Sequence, residues 1–228
     1  MTNDLSYKVE IYRTLDGSDT VFVSALKEHY HSTFGAIRES RHVFIEHGLL
    51  AVEPDVDPVL VFEMGFGTGL NALLTCLSTM ARGHGLNYTA IELNPLEKEV
   101  WQQLNYPSLL PEKEAVEVFR RLHEAPWDIP SKIESGFVLT KLRADIRQYI
   151  PCGQDFHVVY YDAFGPDVQP ELWSKEIFGR MYGLLKPGGI LVTYSCKGDV
   201  RRALKAAGFS VEKLPGPPGK REILRGRS

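Results

Sequence analysis

The chain alternates between short apolar stretches and longer amphipathic ones. Apolar stretches of strand length, rich in β-branched and aromatic residues, recur along it, at 59–64, 88–93, 137–142, 156–162 and 189–195. Segments with helical spacing separate most of them, beginning with 70–82. The last two strand-like stretches, 209–214 and 221–226, follow a short helix and suit an antiparallel pair. The pattern predicts an α/β fold with a mainly parallel sheet.

The N-terminal part departs from this alternation. Two strand-like stretches flank an Asp16-Gly17 turn, which predicts a hairpin. The mixed pattern of 25–50 favours a lid or flank. We therefore expect an N-terminal extension over 1–50 and a main domain over 51–228, together forming one globular unit. About 40 residues, 95–136, join two successive strands, more than one crossover helix needs, so an extra helix is expected there, either as a decoration or as a cleft wall.

Composition narrows the class of protein. The chain has 228 residues, 43% hydrophobic and 24% charged, which is ordinary for a globular protein. No apolar run approaches the roughly 20 residues that a bilayer requires, and the N-terminus lacks the apolar core of a secretion signal. Cys76, Cys152 and Cys196 are far apart and form no metal-binding pair. These features predict a cytoplasmic protein with no membrane partner and no metal site.

Charge is unevenly distributed along the chain. The net charge is −3, but from Lys197 onward nine basic and three acidic residues give +6, which leaves −9 for the rest. A basic end on an acidic body is typical of a surface that docks a polyanion. A solvated terminus that carries these charges by chance is the alternative interpretation.

A glycine-rich loop follows the strand at 59–64. Its glycines, Gly65, Gly67 and Gly69, have the spacing G-x-G-x-G, and Leu70 stands where a dinucleotide fingerprint requires a third glycine. An acidic residue, Glu63, precedes the loop and is a poor neighbour for a pyrophosphate. The loop therefore suits a nucleoside-type ligand without phosphates, which the backbone can approach closely and whose carboxylate the helix N-terminus can receive.

Carboxylates end the next two strands. Glu92, 23 residues beyond Gly69, can accept both hydrogen bonds of a ribose diol, and Asp145 can accept from an adenine amino group. Helix capping alone does not easily explain the whole series. Loop and carboxylates in this order resemble a class I S-adenosylmethionine-dependent methyltransferase, and "LLKPGGILVTYS" resembles the entry to its fifth strand.

This resemblance implies a Rossmann-like, mostly parallel sheet of seven strands with an antiparallel last strand, and S-adenosyl-L-methionine as cofactor. The expected cofactor-binding residues are Glu63, Gly65, Gly67, Gly69, Asn71, Glu92 and Asp145.

The apolar strand at 156–161 ends abruptly in Asp162. Ligands of open α/β sheets bind beyond the carboxyl ends of the strands, so Asp162 is expected beside both cofactor and acceptor. Nitrogen-directed methyltransferases often carry an acidic or amide residue followed by Pro-Pro-aromatic here, whereas this loop reads Asp-Ala-Phe-Gly-Pro. It contains no cysteine, which disfavours a covalent attack on a pyrimidine carbon. We expect Asp162 to orient an amine and accept its proton; capping of the loop is the alternative.

Four stretches together carry a more specific resemblance, namely "FEMGFGTGLNALL", "DAFGPDVQPELWSKEIF", "LLKPGGILVTYSCKGDVRRALKAAGF" and "GKREIL". They resemble the methyltransferase domain of the bacterial MnmC family of tRNA 5-methylaminomethyl-2-thiouridine biosynthesis enzymes, including stand-alone MnmD-type forms. The resemblance runs from about Glu39 to Leu224 and implies methylation of the exocyclic amine of 5-aminomethyluridine, or its 2-thio form, at the tRNA wobble position. The family loop more often reads Asp-Gly-Phe-Ala-Pro, a difference that bears on the pose of the substrate. Bifunctional members carry a following FAD domain, which is not expected in this chain.

The expected partner is the tRNA anticodon stem-loop. Phe164 would stack on the flipped base, Pro166 would shape its pocket, and four cations would contact phosphates: Arg201, Arg202, Lys220 and Arg221. Trp101 and Trp173 lie at helical positions, where a structural role is commoner than base stacking. The alternatives are a small-molecule amine N-methyltransferase or aminopropyltransferase, and a non-catalytic module that binds cofactor and RNA.

Overall fold

The computed structural model describes residues 8–149 and 156–228. The start of the predicted hairpin at Tyr7 and the predicted thiol Cys152 lie outside these ranges. The strands are β1 Val9–Arg13, β2 Asp19–Val23, β3 Glu28–His29, β4 Val59–Met64, β5 Leu86–Glu92, β6 Ser131–Glu134, β7 Phe137–Arg143, β8 Phe156–Tyr161, β9 Leu185–Thr193, β10 Ser210–Pro215 and β11 Glu222–Arg227. The α-helices are α1 Ala36–Ser40, α2 Leu70–Arg82, α3 Lys98–Trp101, α4 Tyr106–Leu109, α5 Ala115–Glu124, α6 Lys175–Leu184 and α7 Gly198–Ala206.

The main sheet has eight strands in the order β10-β11-β9-β8-β4-β5-β7-β6. Its five central strands are parallel, and β11 runs antiparallel to both β9 and β10, which confirms the mainly parallel α/β fold. The sheet exceeds the expected seven strands because β6 pairs antiparallel with β7 at the edge. This strand is only four residues, Ser-Lys-Ile-Glu, too short to give a detectable alternation.

A separate three-stranded antiparallel sheet forms the N-terminal region. The predicted hairpin is confirmed, with Arg13 paired to Asp19 across the turn, and β3 adds a third strand that was not predicted. A π-helical turn at Arg41–Glu46 continues α1. Its buried Phe44 belongs to the same apolar core as Val61 of the main sheet. The boundary near residue 50 stays a prediction, but the two regions share a core.

The helices follow the sequence pattern except at their starts. Helix α2 spans the predicted residues and ends at Gly83, whose φ of 69° is the left-handed conformation that glycine favours. A 3-10 helix at Pro170–Trp173 precedes α6, which begins at Lys175 because Ser174 caps it by accepting from the Ile177 N–H at 3.3 Å. In the 95–136 connection, α3 begins at Lys98, and α5 is a further helix beyond it, as expected. Within the described ranges, no helix combines the length and apolarity that a membrane crossing demands.

Candidate active site

The carboxyl ends of the central parallel strands meet at one edge of the sheet. Met64, the last residue of β4, pairs with Ile91 of β5 on one side and Tyr161 of β8 on the other. The loops that follow these strands surround a cavity of about 880 Å³. Seven of the predicted site residues line it, namely Gly65, Gly67, Asn71, Glu92, Asp145, Asp162 and Phe164. Tertiary structure therefore brings together residues that are separated by up to 99 positions.

The glycine-rich loop needs glycine for conformation and for space. Gly65, Gly67 and Gly69 all have positive φ values, 91°, 49° and 73°, which strain any side-chain-bearing residue. A Cβ atom at Gly65 would lie 3.1 Å from the carbonyl oxygen of Asp162, and one at Gly67 would lie 3.0 Å from the ring of Tyr30. The backbone of this loop therefore passes close to both neighbouring segments.

Glu92 lies at the end of β5 and joins the glycine-rich loop to the next loop. Its carboxylate accepts from the Gly67 N–H at 3.0 Å and from the Asn94 N–H at 2.8 Å. Burial raises the pKa of Glu92, an effect that the N–H groups of Asn94 and Gly67 partly offset. A carboxylate has about four acceptor positions, so Glu92 can still receive a ligand diol from the cavity.

Asp145 lines the cavity, but its carboxylate already forms an ion pair with Arg147. The guanidinium of Arg147 donates to both of its oxygens, at 2.9, 3.0 and 2.6 Å, and the Arg147 N–H donates at 2.9 Å. This arginine holds the pKa of Asp145 below its usual range. An adenine amino group would have to share the carboxylate with a half-exposed arginine or displace it.

Asp162 is fixed by a chain of polar side chains. The Asn71 amide donates from Nδ2 to Asp162 Oδ2 at 2.8 Å and to Glu63 Oε1 at 2.9 Å. Glu63 is 1% exposed, and Asn71 is 3% exposed. The amide therefore bridges two carboxyl groups, one on β4 and one directly after β8. This orientation leaves Asn71 Oδ1 buried without a hydrogen-bond partner among the described residues.

The bridge places two carboxyl groups where neither ionises easily. Burial raises the pKa of Asp162 to about 7, and the charge of Glu39 adds to the increase, while Asn71 and Lys220 oppose it. Burial raises the pKa of Glu63 well above its usual range. The Glu63 carboxyl group is therefore protonated more readily than an exposed glutamate, and Asp162 is poised to exchange a proton near neutral pH.

Aromatic residues from the N-terminal region complete the wall of the cavity. Tyr30 and His31 line it, and the Tyr30 ring meets the Phe164 ring edge to face at 4.9 Å between centroids. This contact supports the expected covering role of 25–50. The sequence analysis missed both residues, since nothing in "KEHYHS" distinguishes them from ordinary packing residues.

Several predicted site residues lie outside the cavity wall. Glu63 and Gly69 lie behind it, where Glu63 holds Asn71 and Gly69 precedes α2. Pro166 and the four predicted phosphate contacts, Arg201, Arg202, Lys220 and Arg221, are also absent from it. These roles stay predictions, and direct contact of Glu63 with the cofactor has no support from its position.

Lys220 has a different environment from the other three cations. It pairs with the buried carboxylate of Glu39, and its ammonium lies 3.9 Å from the ring centroid of Tyr194. The Tyr194 hydroxyl in turn donates to the Ala163 carbonyl at 2.8 Å. Lys220 therefore supports the loop after Asp162, whereas Arg201, Arg202 and Arg221 are exposed.

Both tryptophans that were weighed as base-stacking residues are structural. Trp173 is 5% exposed and donates from its indole N–H to the Phe164 carbonyl at 2.7 Å. Trp101 is 7% exposed and stacks on His123. Trp173 thus helps to fix the backbone at Phe164.

The cavity fits a nucleoside-type methyl donor. Glu92 keeps acceptor capacity toward it, the glycine-rich loop allows close backbone approach, and Asn71 Oδ1 is a buried acceptor without a partner among the described residues. Its volume of about 880 Å³ leaves room for an acceptor beside the donor.

Comparison with known proteins points in the same direction. Residues 118–228 match the family model of an S-adenosyl-L-methionine-dependent methyltransferase. The bifunctional MnmC protein for tRNA 5-methylaminomethyl-2-thiouridine biosynthesis from Aromatoleum aromaticum is 36% identical over 215 residues, which cover 90% of this chain and 33% of that protein. The chain thus spans about a third of the length of this curated relative.

Two solved structures share the fold. MNMC2 from Aquifex aeolicus superposes with a TM-score of 0.79 at 24% identity, covering 98% of this chain and 71% of that one. Spermidine synthase from Thermotoga maritima has a TM-score of 0.57 at 12% identity, covering 96% and 68%. The fold is common to both and does not itself choose between methyl and aminopropyl transfer. By the family match over residues 118–228 and the 36% identity to the MnmC protein, the chain is similar to S-adenosyl-L-methionine-dependent methyltransferases and, among them, to the MnmC proteins.

Proposed function

We propose that this protein methylates the exocyclic amine of 5-aminomethyluridine, or its 2-thio form, at the wobble position of tRNA. The carrying observation is the cavity that has Glu92 and Asp162 on its wall, at the ends of nearby parallel strands. The similarity to the MnmC protein, which covers 90% of this chain, supports tRNA as substrate and the cytoplasm as location.

The donor is assigned to the side of the cavity formed by β4 and β5. Glu92 would accept hydrogen bonds from the ribose diol of the donor. The backbone of the loop from Gly65 to Gly69 would pack closely against the donor, and Asn71 Oδ1 would accept from the donor's amino group. S-adenosyl-L-methionine would supply a methyl group bound to a sulfonium sulfur. An amine would attack the methyl carbon in line with the carbon–sulfur bond. The work of these residues is to hold the reacting atoms about 3–3.5 Å apart and aligned.

Asp162 provides the acid–base chemistry. Only a neutral amine attacks, and a fully ionised carboxylate beside an ammonium would stabilise the charged form. Because burial raises the pKa of Asp162 to about 7, its carboxylate accepts a proton from the amine more readily than an exposed aspartate would. As the nitrogen–carbon bond forms and the sulfur–carbon bond breaks, the nitrogen proton passes to Asp162 Oδ1, while Asn71 holds Oδ2.

Phe164 is assigned to the base. It lines the cavity two residues after Asp162 and packs against Tyr30, so the two rings offer an aromatic face to a flipped uracil. The anticodon stem-loop would contact Arg201, Arg202 and Arg221, which are exposed. Lys220 would act closer to the site, through Tyr194 and the loop it supports.

Nucleoside mass spectrometry tests the proposal directly. Wobble-uridine tRNA that carries the aminomethyl group is incubated with the protein and S-adenosyl-L-methionine, then digested. We expect one added methyl group on that nucleoside with the wild type and none with Asp162→Ala, although Asp162→Ala should still bind the donor in calorimetry.

Three outcomes would change the assignment. Donor binding without methylated tRNA, but with methylated or aminopropylated small amines, would move the protein to the small-molecule alternative. Donor binding without turnover of any amine would favour a non-catalytic binding module. Equal activity of wild type and Asp162→Ala would remove Asp162 from the mechanism.

A further inference from the structure

Thr68, in the glycine-rich loop, is held from two flanks of the molecule. His31, just after β3, has Nε2 2.8 Å from the Thr68 hydroxyl. His123, near the end of α5, has Nε2 3.1 Å from the Thr68 carbonyl oxygen. Thr68 and His31 line the cavity, whereas His123 lies behind the loop. The N-terminal region and the inserted segment thus contact the same residue.

The ring of His123 is fixed on several sides. It stacks on Trp101 at 4.5 Å between centroids with 9° between the planes, and the edges of Phe119 and Phe66 lie at 4.6 and 5.3 Å. Its own carbonyl accepts from the buried ammonium of Lys141 at 2.7 Å. Since Phe66 belongs to the glycine-rich loop, the loop is seated against the inserted segment by an aromatic contact as well as a hydrogen bond.

The direction of the hydrogen bond to Thr68 follows from chemistry. A carbonyl oxygen can only accept, so Nε2 of His123 carries the hydrogen and donates. Burial lowers the pKa of His123 to about 3, and Lys141 adds to the decrease. The imidazole is therefore neutral at physiological pH and serves as an uncharged donor.

Gly69 shows how closely the histidine approaches the loop. A Cβ atom there would lie 2.8 Å from His123 Nε2, and the φ of 73° already disfavours a side chain. The last glycine of the loop is therefore required in part by a histidine 54 positions away.

We propose that His123 is a positioning residue that fixes the glycine-rich loop for methyl-donor binding, and that this is the role of the inserted helix α5. The proposal rests on the proposed function only in taking the cavity as the donor site. His123 touches neither donor nor acceptor; it acts through the Thr68 carbonyl, which sets the orientation of the adjoining peptide groups. The donor then meets a preformed loop and does not have to order it.

Two substitutions separate the hydrogen bond from the packing. His123→Phe keeps an aromatic ring against Trp101 but cannot donate to Thr68, whereas His123→Gln keeps an N–H donor and loses the ring. We expect His123→Phe to weaken S-adenosyl-L-methionine binding about tenfold, the size of one lost hydrogen bond to a buried carbonyl, and His123→Gln to retain affinity within about threefold.

The matched control lies on the same helix. Val116 is 63% exposed, and Val116→Ala should bind the donor like the wild type. Affinity is measured by calorimetry on the full chain, with thermal unfolding of each variant in parallel. In the tRNA assay, His123→Phe should raise the KM for the donor while kcat stays nearly constant, since Asp162 is untouched.

Two results would overturn the proposal. One is wild-type donor affinity in His123→Phe. The other is an equal loss of affinity in both variants together with equally lowered unfolding temperatures, which would make His123 a packing residue alone. Donor binding is measured without tRNA, so a failure of tRNA methylation would contradict the proposed function and leave this result unaffected.

Discussion

The cavity is built by two regions that contribute in different ways. The strand ends, which we define as Glu63, Glu92 and Asp162 together with Asn71 at the start of α2, provide the polar chemistry. The flanks, which we define as the described part of the N-terminal extension, 8–50, and the inserted segment, 95–136, provide Tyr30, His31 and His123. In the proposed function Glu92 and Asp162 bind or react, Glu63 and Asn71 hold Asp162, and the flanks hold the loops in place.

The two regions differ in what fixes the positions of their side chains. The strand-end groups are placed by main-chain hydrogen bonds of a parallel sheet, which fix neighbouring strand ends to within one residue. The loops between strand and helix have no such ladder. Their conformation is instead determined by side chains that come from distant parts of the chain, such as the two histidines at Thr68.

The largest expected effect comes from Asp162, at the centre of the strand ends. Asp162→Asn removes the proton acceptor and should lower kcat by about 100-fold or more. The same change should stabilise the protein at pH 8. The pKa of Asp162 rises from 3.8 to about 7 on folding, so the folded state binds the proton more tightly and stability falls as pH rises through this interval. Asparagine carries no such charge, and we expect its free energy of unfolding to exceed that of the wild type by about 4 kcal/mol at pH 8.

Urea unfolding at pH 3.5 and pH 8 measures this effect. The stabilisation of Asp162→Asn over wild type should be present at pH 8 and small at pH 3.5, where both unfolded and folded Asp162 are largely protonated. A stability difference that is independent of pH would show that the carboxyl group is not perturbed in the folded protein.

A smaller effect is expected at the donor side, where the strand ends can be compared with each other. Glu92→Gln should weaken S-adenosyl-L-methionine binding about 10- to 100-fold, because a charged acceptor of the ribose is lost. Asp145→Asn should cost less than about fivefold, since Arg147 already occupies that carboxylate. Calorimetric titration of both variants decides this; a loss at Asp145 as large as that at Glu92 would mean that the arginine moves away when the donor binds.

The smallest effect is expected on the surface that extends from the site. Arg201 and Arg221 form no ion pair with any residue in 8–149 or 156–228, whereas Arg202 pairs with Asp199. Arg201→Glu with Arg221→Glu should weaken tRNA binding several-fold and reduce its dependence on salt, with Arg202→Glu weaker in effect. Arg120→Glu, on the exposed face of α5, is the control. Filter binding over a range of salt concentrations measures this, and an unchanged salt slope would move the docking surface elsewhere.

The strand-end groups could be predicted because their signals are local. The glycine spacing, Glu92 and Asp162 each sit directly after an apolar stretch, and the order of strands in an α/β sheet then requires that they meet. The exact role of Glu63 could not be read the same way. The carboxyl group of Glu63 could face the cavity or contact a side chain behind the cavity wall. The first turn of α2 decides this, because it places Asn71 between Glu63 and Asp162.

The flanking residues had no comparable signal. His31, Glu39 and His123 are single polar residues in mixed or amphipathic segments. Thr68, the partner of both histidines, is 37 positions from His31 and 55 from His123, and Lys220 is 181 positions from its partner Glu39. Charge counting assigned Lys220 to the phosphate-binding group with Arg201, Arg202 and Arg221, because a sequence shows the sign of a charge but not the buried carboxylate that it pairs with.

By itself the sequence determined the class of fold, the glycine-rich loop and the aspartate beside it, because hydrophobic periodicity and the residues at strand ends can be recognised in consecutive positions. The eighth strand, the raised pKa values of Glu63 and Asp162, the pairing of Lys220 with a buried carboxylate and the two histidines on Thr68 were decided by tertiary structure alone. Each of these features depends on burial or on a contact between distant segments. Burial and such contacts arise only when the chain packs into its tertiary structure.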